Sequence, residues 1–283
     1  MTHDIIPARL KRFESVRLRK GAGAGGNGEV DVCLMQAVDW LTGGTGQTDA
    51  PTCVAQTITR YCVGLNDSLL FSQQQHRDLL KPYAIKMIGT RTGVTDERQR
   101  AFIAADYAVR VFGPIWLHAL GYQAWAKRLE SVAPITDSKS STAARDAARE
   151  VRAAAAAYAA ASYNAADASD AATAASDADA SYADASYAAA SYAAAADAAA
   201  AASYAAASYA AADASYAAAA YATAASDADA AYAAASYAAA AVSGIAARSV
   251  HAHARGDELR AKALACLDAM IAVGRLADTE PQG

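Results

Sequence analysis

The chain has few side chains of the kinds that do chemistry, and their spacing decides what they can do. Gly21-Ala-Gly-Ala-Gly-Gly26 matches G-x-G-x-x-G, the glycine spacing with which a backbone wraps a dinucleotide pyrophosphate. That chemistry needs a strand before the glycines, a helix after them and a βαβ unit around both. No parallel-strand pattern follows, so the segment reads as a flexible link. Cys33, Cys53, Cys62 and Cys266 sit among small or apolar residues, with no paired C-x-x-C and no adjacent histidine. They are expected as buried, reduced thiols rather than as metal ligands. His251 and His253 are two residues apart, which on a helix points them roughly 200° from each other and rules out a shared helical metal site. His76 and His118 fall in separate helical patterns. Glu29, Asp31, Asp39 and Asp49 are the carboxylates on which a small enzyme or nucleotide-binding head would draw. Arg255-Gly256-Asp257 is the integrin-ligand tripeptide, short enough to occur by chance. No nucleophile–base pair or metal-ligand motif stands out, so no catalytic, cofactor-binding or metal-binding residue is assigned, and no cofactor.

The elements that would have to position such residues fall into unequal parts. The most distinctive is 153–241, which contains no Lys, Arg, Glu, His, Gly, Pro, Leu, Val or Ile. It holds 55 Ala, 11 Tyr, 11 Ser, 9 Asp, 2 Thr and one Asn, leaving no neutral-pH base and no cation for a phosphate. Alanine has the highest helix propensity, so a long helix is the first expectation. One straight helix over 143–243 would be on the order of 150 Å long at 1.5 Å per residue. Its commonest Tyr spacing is five, and on a helical wheel the tyrosines fall all round the axis, against a coiled coil with one seam. The alternative is a pentapeptide-like β-solenoid. Frame breaks and the lack of Leu or Phe to fill its interior count against that.

From Glu29 to about Leu129 the pattern is helical. Leu34, Met35, Val38 and Leu41 fall on one helical face, and Gly43–Gly46 ends that helix. Val54, Ile58, Tyr61, Cys62 and Leu65 make a second stripe, and Leu79, Leu80, Tyr83 and Met87 a third around Pro82. Thr95, Asp96 and Glu97 read as a helix start. Behind them Phe102, Ala105, Val109, Phe112, Trp116 and Leu120 form one stripe, with a kink at Gly113-Pro114 and an end at Gly121. Trp125 and Leu129 add a short helix. Pro134 to Thr142 is a linker or the cap of the helix that follows. Ahead of all this, Arg9, Lys11, Arg12, Arg17, Arg19 and Lys20 form a basic cluster. With Phe13 as its sole aromatic it reads as a solvated arm, and nucleic acid is not expected as a partner.

The expected organisation is therefore a basic arm and Gly-rich linker (1–28), a helical head (29–132), a linker and Ala/Tyr/Ser/Asp-rich helical tract (133–244), and a C-terminal amphipathic helix and tail (245–283). The fold class is all-α. Residues 1–152 carry a balance of +5 and the tract −9, neither large enough to indicate a membrane or nucleic acid by itself. Met1 to Arg12 lacks an apolar signal-peptide core, and the aspartates of the tract would be costly in hydrocarbon, so a cytoplasmic protein without membrane association is expected.

Gly28-Glu-Val-Asp-Val-Cys-Leu-Met-Gln-Ala-Val-Asp-Trp-Leu-Thr-Gly43, Thr48-Asp-Ala-Pro-Thr-Cys-Val54, Leu65-Asn-Asp67 and Leu80-Lys-Pro82 together resemble a group of actinobacterial, actinobacteriophage and environmental proteins that share a small helical head and an Ala-rich tail. The resemblance spans about residues 21–130. It implies a phage or mobile-element origin and a head separable from its tail. The group has no assigned activity, so it implies no function.

The functional expectation is a non-catalytic structural or interaction protein, with the head docking and the tract acting as spacer or assembly rod. The alternative is a small enzyme or nucleotide-binding head with a dispensable tail. The C-terminal stripe of Val250, Leu264, Leu267, Ile271 and Leu276 needs a partner. If a rod carries it away from the head, burial between chains is the remaining route. Self-association through Leu264, Leu267, Ile271 and Leu276 is the expectation.

Overall fold

A computed structural model of the chain describes residues 4–21, 31–119, 121–151, 153–154 and 256–274. The tract from 155 to 255 lies outside the described residues, and with it both the long-helix and the solenoid readings. So do the rest of the glycine run (22–28), Glu29, Val250, His251, His253, Arg255 and Leu276.

The described residues are all-α, with two strands of two residues each. Helix α1 (Pro7–Phe13) opens with proline at its first position, where the missing N–H costs nothing. Strand β1 (Arg17–Leu18) pairs in parallel with β2 (Asp31–Val32). Then come α2 (Leu34–Leu41), α3 (Gln56–Asp67), α4 (Gln74–Asp78), α5 (Lys81–Lys86) and α6 (Val94–Tyr107). A π-helical turn (Ala108–Phe112) joins α6 to α7 (Gly113–Ala119), and α8 (Gln123–Glu130) follows. Helix α9 runs over 138–151, and α10 (Gly256–Ala272) returns after the tract.

The basic arm departs from expectation. Phe13, Val16 and Leu18 are buried in the head, because these three apolar residues alternate with the charged ones and face inward. The guanidiniums of Arg9 and Arg12 lie over the Trp40 ring, at 5.5 and 5.8 Å from its centroid. The segment is a structural layer with its charged ends in solvent.

Helix α6 divides the interior. Ala104 and Ala108, with Phe112 and Ile115 beyond the helix, face the larger core of α1, the strands, α2, α3, α5 and α10. Ala101, Phe102, Ala105 and Val109 face a second core with Leu117, Ala126, Leu129, Val132 and Ile135. The single stripe read from Phe102 to Phe112 is thus split between two cores. The two cores lie on adjacent faces of α6, and the π turn follows immediately before Pro114, whose missing N–H breaks the hydrogen-bond ladder. Helix α9 seals the second core with Ala144, Ala147, Ala148 and Val151, a stripe at helical spacing. The Pro134–Thr142 stretch supplies its cap. The Asp137 carboxylate accepts from the Ser140 backbone N–H at 2.7 Å, and these hydrogen bonds hold its pKa below the usual carboxylate range.

Candidate functional site

Two places concentrate polar side chains on rigid elements: the seam that closes α10 onto the head, and a cleft beside α3.

At the seam, α10 lays Leu259, Ala263, Cys266, Leu267, Met270 and Ile271 into the larger core. These positions repeat at helical spacing, and burial of each large side chain contributes about 1.5–3 kcal/mol. Polar contacts fix the register. Tyr61 donates to the Ala263 carbonyl at 3.2 Å. Asp268 accepts from the Tyr83 hydroxyl at 2.8 Å and from Lys86 Nζ at 2.9 Å. At the far end Arg100, fully buried on α6, donates from Nε to the Met270 carbonyl at 3.1 Å and from Nη2 to the Val273 carbonyl at 2.8 Å. A cation at the carbonyl end of a helix is favoured by the backbone dipoles.

One helical turn before Arg100, Glu97 does the opposite job for α3. Its carboxylate accepts from the backbone N–H groups of Gln56 at 3.0 Å and Thr57 at 3.1 Å, and from the Thr57 hydroxyl at 2.6 Å. No residue local to α3 caps it, so a carboxylate from another helix does so. Arg100 Nη1 stands 3.8 Å from Glu97, and the two charges share one buried site. The network Thr57–Glu97–Arg100–Val273 thus ties the start of α3 to the end of α10 through α6.

This seam covers most of the stripe on which the self-association expectation rests, while Leu276 lies outside the described residues. Leu267 and Ile271 are buried against the chain's own head, and Leu264 packs at the edge of the same core. The premise that the helix is carried away from the head fails, because the chain re-enters the head at 256.

The cleft, of about 390 Å³, lies between the Asp49–Ala50–Pro51 turn, α3 and Arg91. Gln56, Thr59, Arg60 and Val63 line it from one face of α3, at positions i, i+3, i+4 and i+7. Its opposite wall is fixed by backbone: Gly89 and Arg91 both donate to the Cys53 carbonyl, at 3.0 and 3.4 Å. The Thr90 hydroxyl accepts from the Ala55 N–H at 3.1 Å and donates to the Met87 carbonyl at 2.6 Å.

The carboxylates named from sequence do not converge. Asp31 pairs with Arg17 at 3.2 Å across the two strands. Asp39 accepts from the Gly46 N–H at 2.8 Å and shapes the Gly43–Gly46 turn. Asp49 borders the cleft. Gly21 sits at φ +70 and donates to Asp67 at 2.8 Å, so the start of the glycine run serves as a turn. No group of three His, Cys, Asp or Glu side chains gathers among the described residues. His76 is on α4. His118, on α7, is hydrogen-bonded to Gln123 and to Glu130, the latter at 2.9 Å. Asp257 stands in the first turn of α10 and pairs with Arg260.

All four cysteines are buried and free. Burial raises every thiol pKa, that of Cys266 to about 12. Cys33 caps α2: its sulfur accepts from the Gln36 N–H while the Gln36 side chain accepts from the Cys33 N–H at 3.1 Å. Sequence reading misses Glu97 and Arg100 as structural centres. The available signal is Arg100 beside Ala101, Phe102, Ala104 and Ala105, a cation set among residues of core type.

No family model, curated protein or solved structure matches this chain. No helix among the described residues is long and apolar enough to cross a membrane.

Proposed function

We propose that the chain is a non-catalytic structural or interaction protein, in which the helical head docks and the Ala-rich tract is a spacer held at both ends by that head. The observation that carries the reading is the docking of α10: α9 leads out of one core and α10 re-enters the other, so the tract begins and ends on one body. This changes the geometry of the spacer. The far end of a one-way helix over 143–243 would lie on the order of 150 Å from the head. The twelve residues 244–255 reach at most about 43 Å. On this reading both ends of the spacer are held by one body, and the partner is met between them.

The test replaces residues 155–255 with a flexible linker of about 20 Gly/Ser residues. Both anchors remain, so the head folds. Shortening the closed loop from about 100 to about 20 residues raises stability by up to roughly 1.4 kcal/mol. Loss of the host phenotype or of partner binding, with the head folded, is the expected result. If the shortened protein serves its host normally, the spacer reading fails and the head becomes the object of an enzyme screen.

A further inference from the structure

We propose that the cleft beside α3 binds a small organic oxyanion: a carboxylate or phosphate monoester on a short apolar body. The walls determine the ligand class. Two guanidiniums line the cleft, Arg60 from α3 and Arg91 from the segment behind α5, against one carboxylate, Asp49. The balance of charge favours an anion and disfavours a cation. A guanidinium presents its donors in a plane that matches the paired oxygens of a carboxylate or phosphate. Gln56 and Thr59 add neutral hydrogen-bonding groups on the same face as Arg60. Val54 and Val63 supply apolar wall, which a bare inorganic ion would leave unused.

Size and rigidity agree with this. A volume of about 390 Å³ lies in the range of sites for small molecules. The cleft is also built before any ligand arrives. The Cys53 carbonyl holds Gly89 and Arg91, Thr90 bridges Ala55 and Met87, and Glu97 fixes the start of α3. Little ordering remains to oppose binding. The backbone N–H groups of Gln56 and Thr57 are already taken by Glu97, so recognition falls to the side chains rather than to the helix end.

The proposal does not depend on the tract's role. It is tested on the full chain with four probes: phenyl phosphate, benzoate, inorganic phosphate and benzylamine. Titration is followed by nuclear magnetic resonance of the protein, so that the responding residues are identified without any substitution. Phenyl phosphate or benzoate is expected to shift resonances of residues 49–63 and 91 at millimolar concentration or below. Inorganic phosphate should bind at least several-fold more weakly, and benzylamine should leave the same residues unmoved. The stronger of the two organic anions identifies the headgroup. Arg91→Gln, at an exposed position, should weaken binding about tenfold, and Arg60→Gln likewise, while Arg128→Gln outside the cleft has no effect. Each variant is checked for an unchanged urea midpoint. The proposal is overturned by no response to either organic anion at 10-fold molar excess over 1 mM protein (order-of-magnitude conditions for a millimolar site). Shifts that map elsewhere, or binding that survives both cleft substitutions, overturn it equally.

Discussion

Arg100→Met is the most informative single change. Arg100 is fully buried and reaches the carbonyls of Met270 and Val273, the Thr92 hydroxyl and the carboxylate of Glu97. Methionine keeps most of the volume and removes the charge and every donor. Two carbonyls at the end of α10 lose their partner, at roughly 1–3 kcal/mol each where water does not replace it. Glu97 keeps its bonds to Gln56 and Thr57 but loses the cation 3.8 Å away. Breaking one side of a buried ion pair costs roughly 3–5 kcal/mol, and removing the buried guanidinium returns part of its own desolvation cost. The expected net loss is about 3–5 kcal/mol, or on the order of 10 °C in melting temperature for a head of this size. Urea unfolding measures the total, and hydrogen exchange locates it. Protection should fall first in α10, and amides in the middle of α3 should lose less. Arg98→Met, at a surface position, is the control. The double variant Glu97→Gln, Arg100→Met should lose less than the sum of its parts, because no lone charge is left buried. A loss below about 1 kcal/mol, or equal to that of the Arg98 control, would refute the assignment of Arg100 as the bolt of the seam.

Three further outcomes follow from the packing. Burial raises the pKa of Cys62 well above the ordinary thiol value and that of Cys266 to about 12, so the unfolded chain releases these protons first as pH rises. The stability is therefore fully present below about pH 8.5–9 and is lost above it, by roughly 2–3 kcal/mol per pH unit for two thiols, which urea midpoints at pH 8 and 10 would register. Gly44→Ala sets its new carbon 2.2 Å from the Asp39 carboxylate, which is itself held by Gly46, whereas Gly93→Ala meets nothing within 4 Å. Thermal melts should show a loss of about 1–3 kcal/mol for the first and little for the second. Leu267→Ser and Ile271→Ser together should unfold the head rather than dissociate an oligomer, at roughly 2–5 kcal/mol each. Sedimentation that instead shows a folded monomer derived from a larger wild-type species would restore the intermolecular reading.

Much of the head is legible in the sequence because local signals and tertiary contacts agree there. Ile58, Tyr61, Cys62 and Leu65 of the second stripe become the buried face of α3, with Val54 buried just ahead of it, and Leu34 to Leu41 becomes α2. Helix α4 gives no such signal, since Gln74–Asp78 has no apolar face and buries none of its residues. The strands are invisible because two residues each give no alternation to detect. The arm misleads because charge dominates its composition, while its fold rests on Phe13, Val16 and Leu18 alone. The destination of α10 is not legible at all. An apolar stripe announces that it needs a partner, but not which surface supplies it. The cleft shares that difficulty, since Gln56, Arg60 and Arg91 meet only once the Cys53 carbonyl gathers the segment after α5.

The central claim is that α10 closes the head of its own chain. Lys86 Nζ and Asp268 Oδ1 stand 2.9 Å apart across the seam, close enough for a zero-length carbodiimide cross-link. The most direct measurement refolds an equimolar mixture of isotopically light and heavy protein, cross-links it, and analyses the Lys86–Asp268 peptide by mass spectrometry. The account predicts light–light and heavy–heavy cross-links with no mixed species. Mixed cross-links approaching half of the total would show that each α10 closes the head of another molecule, and would contradict it.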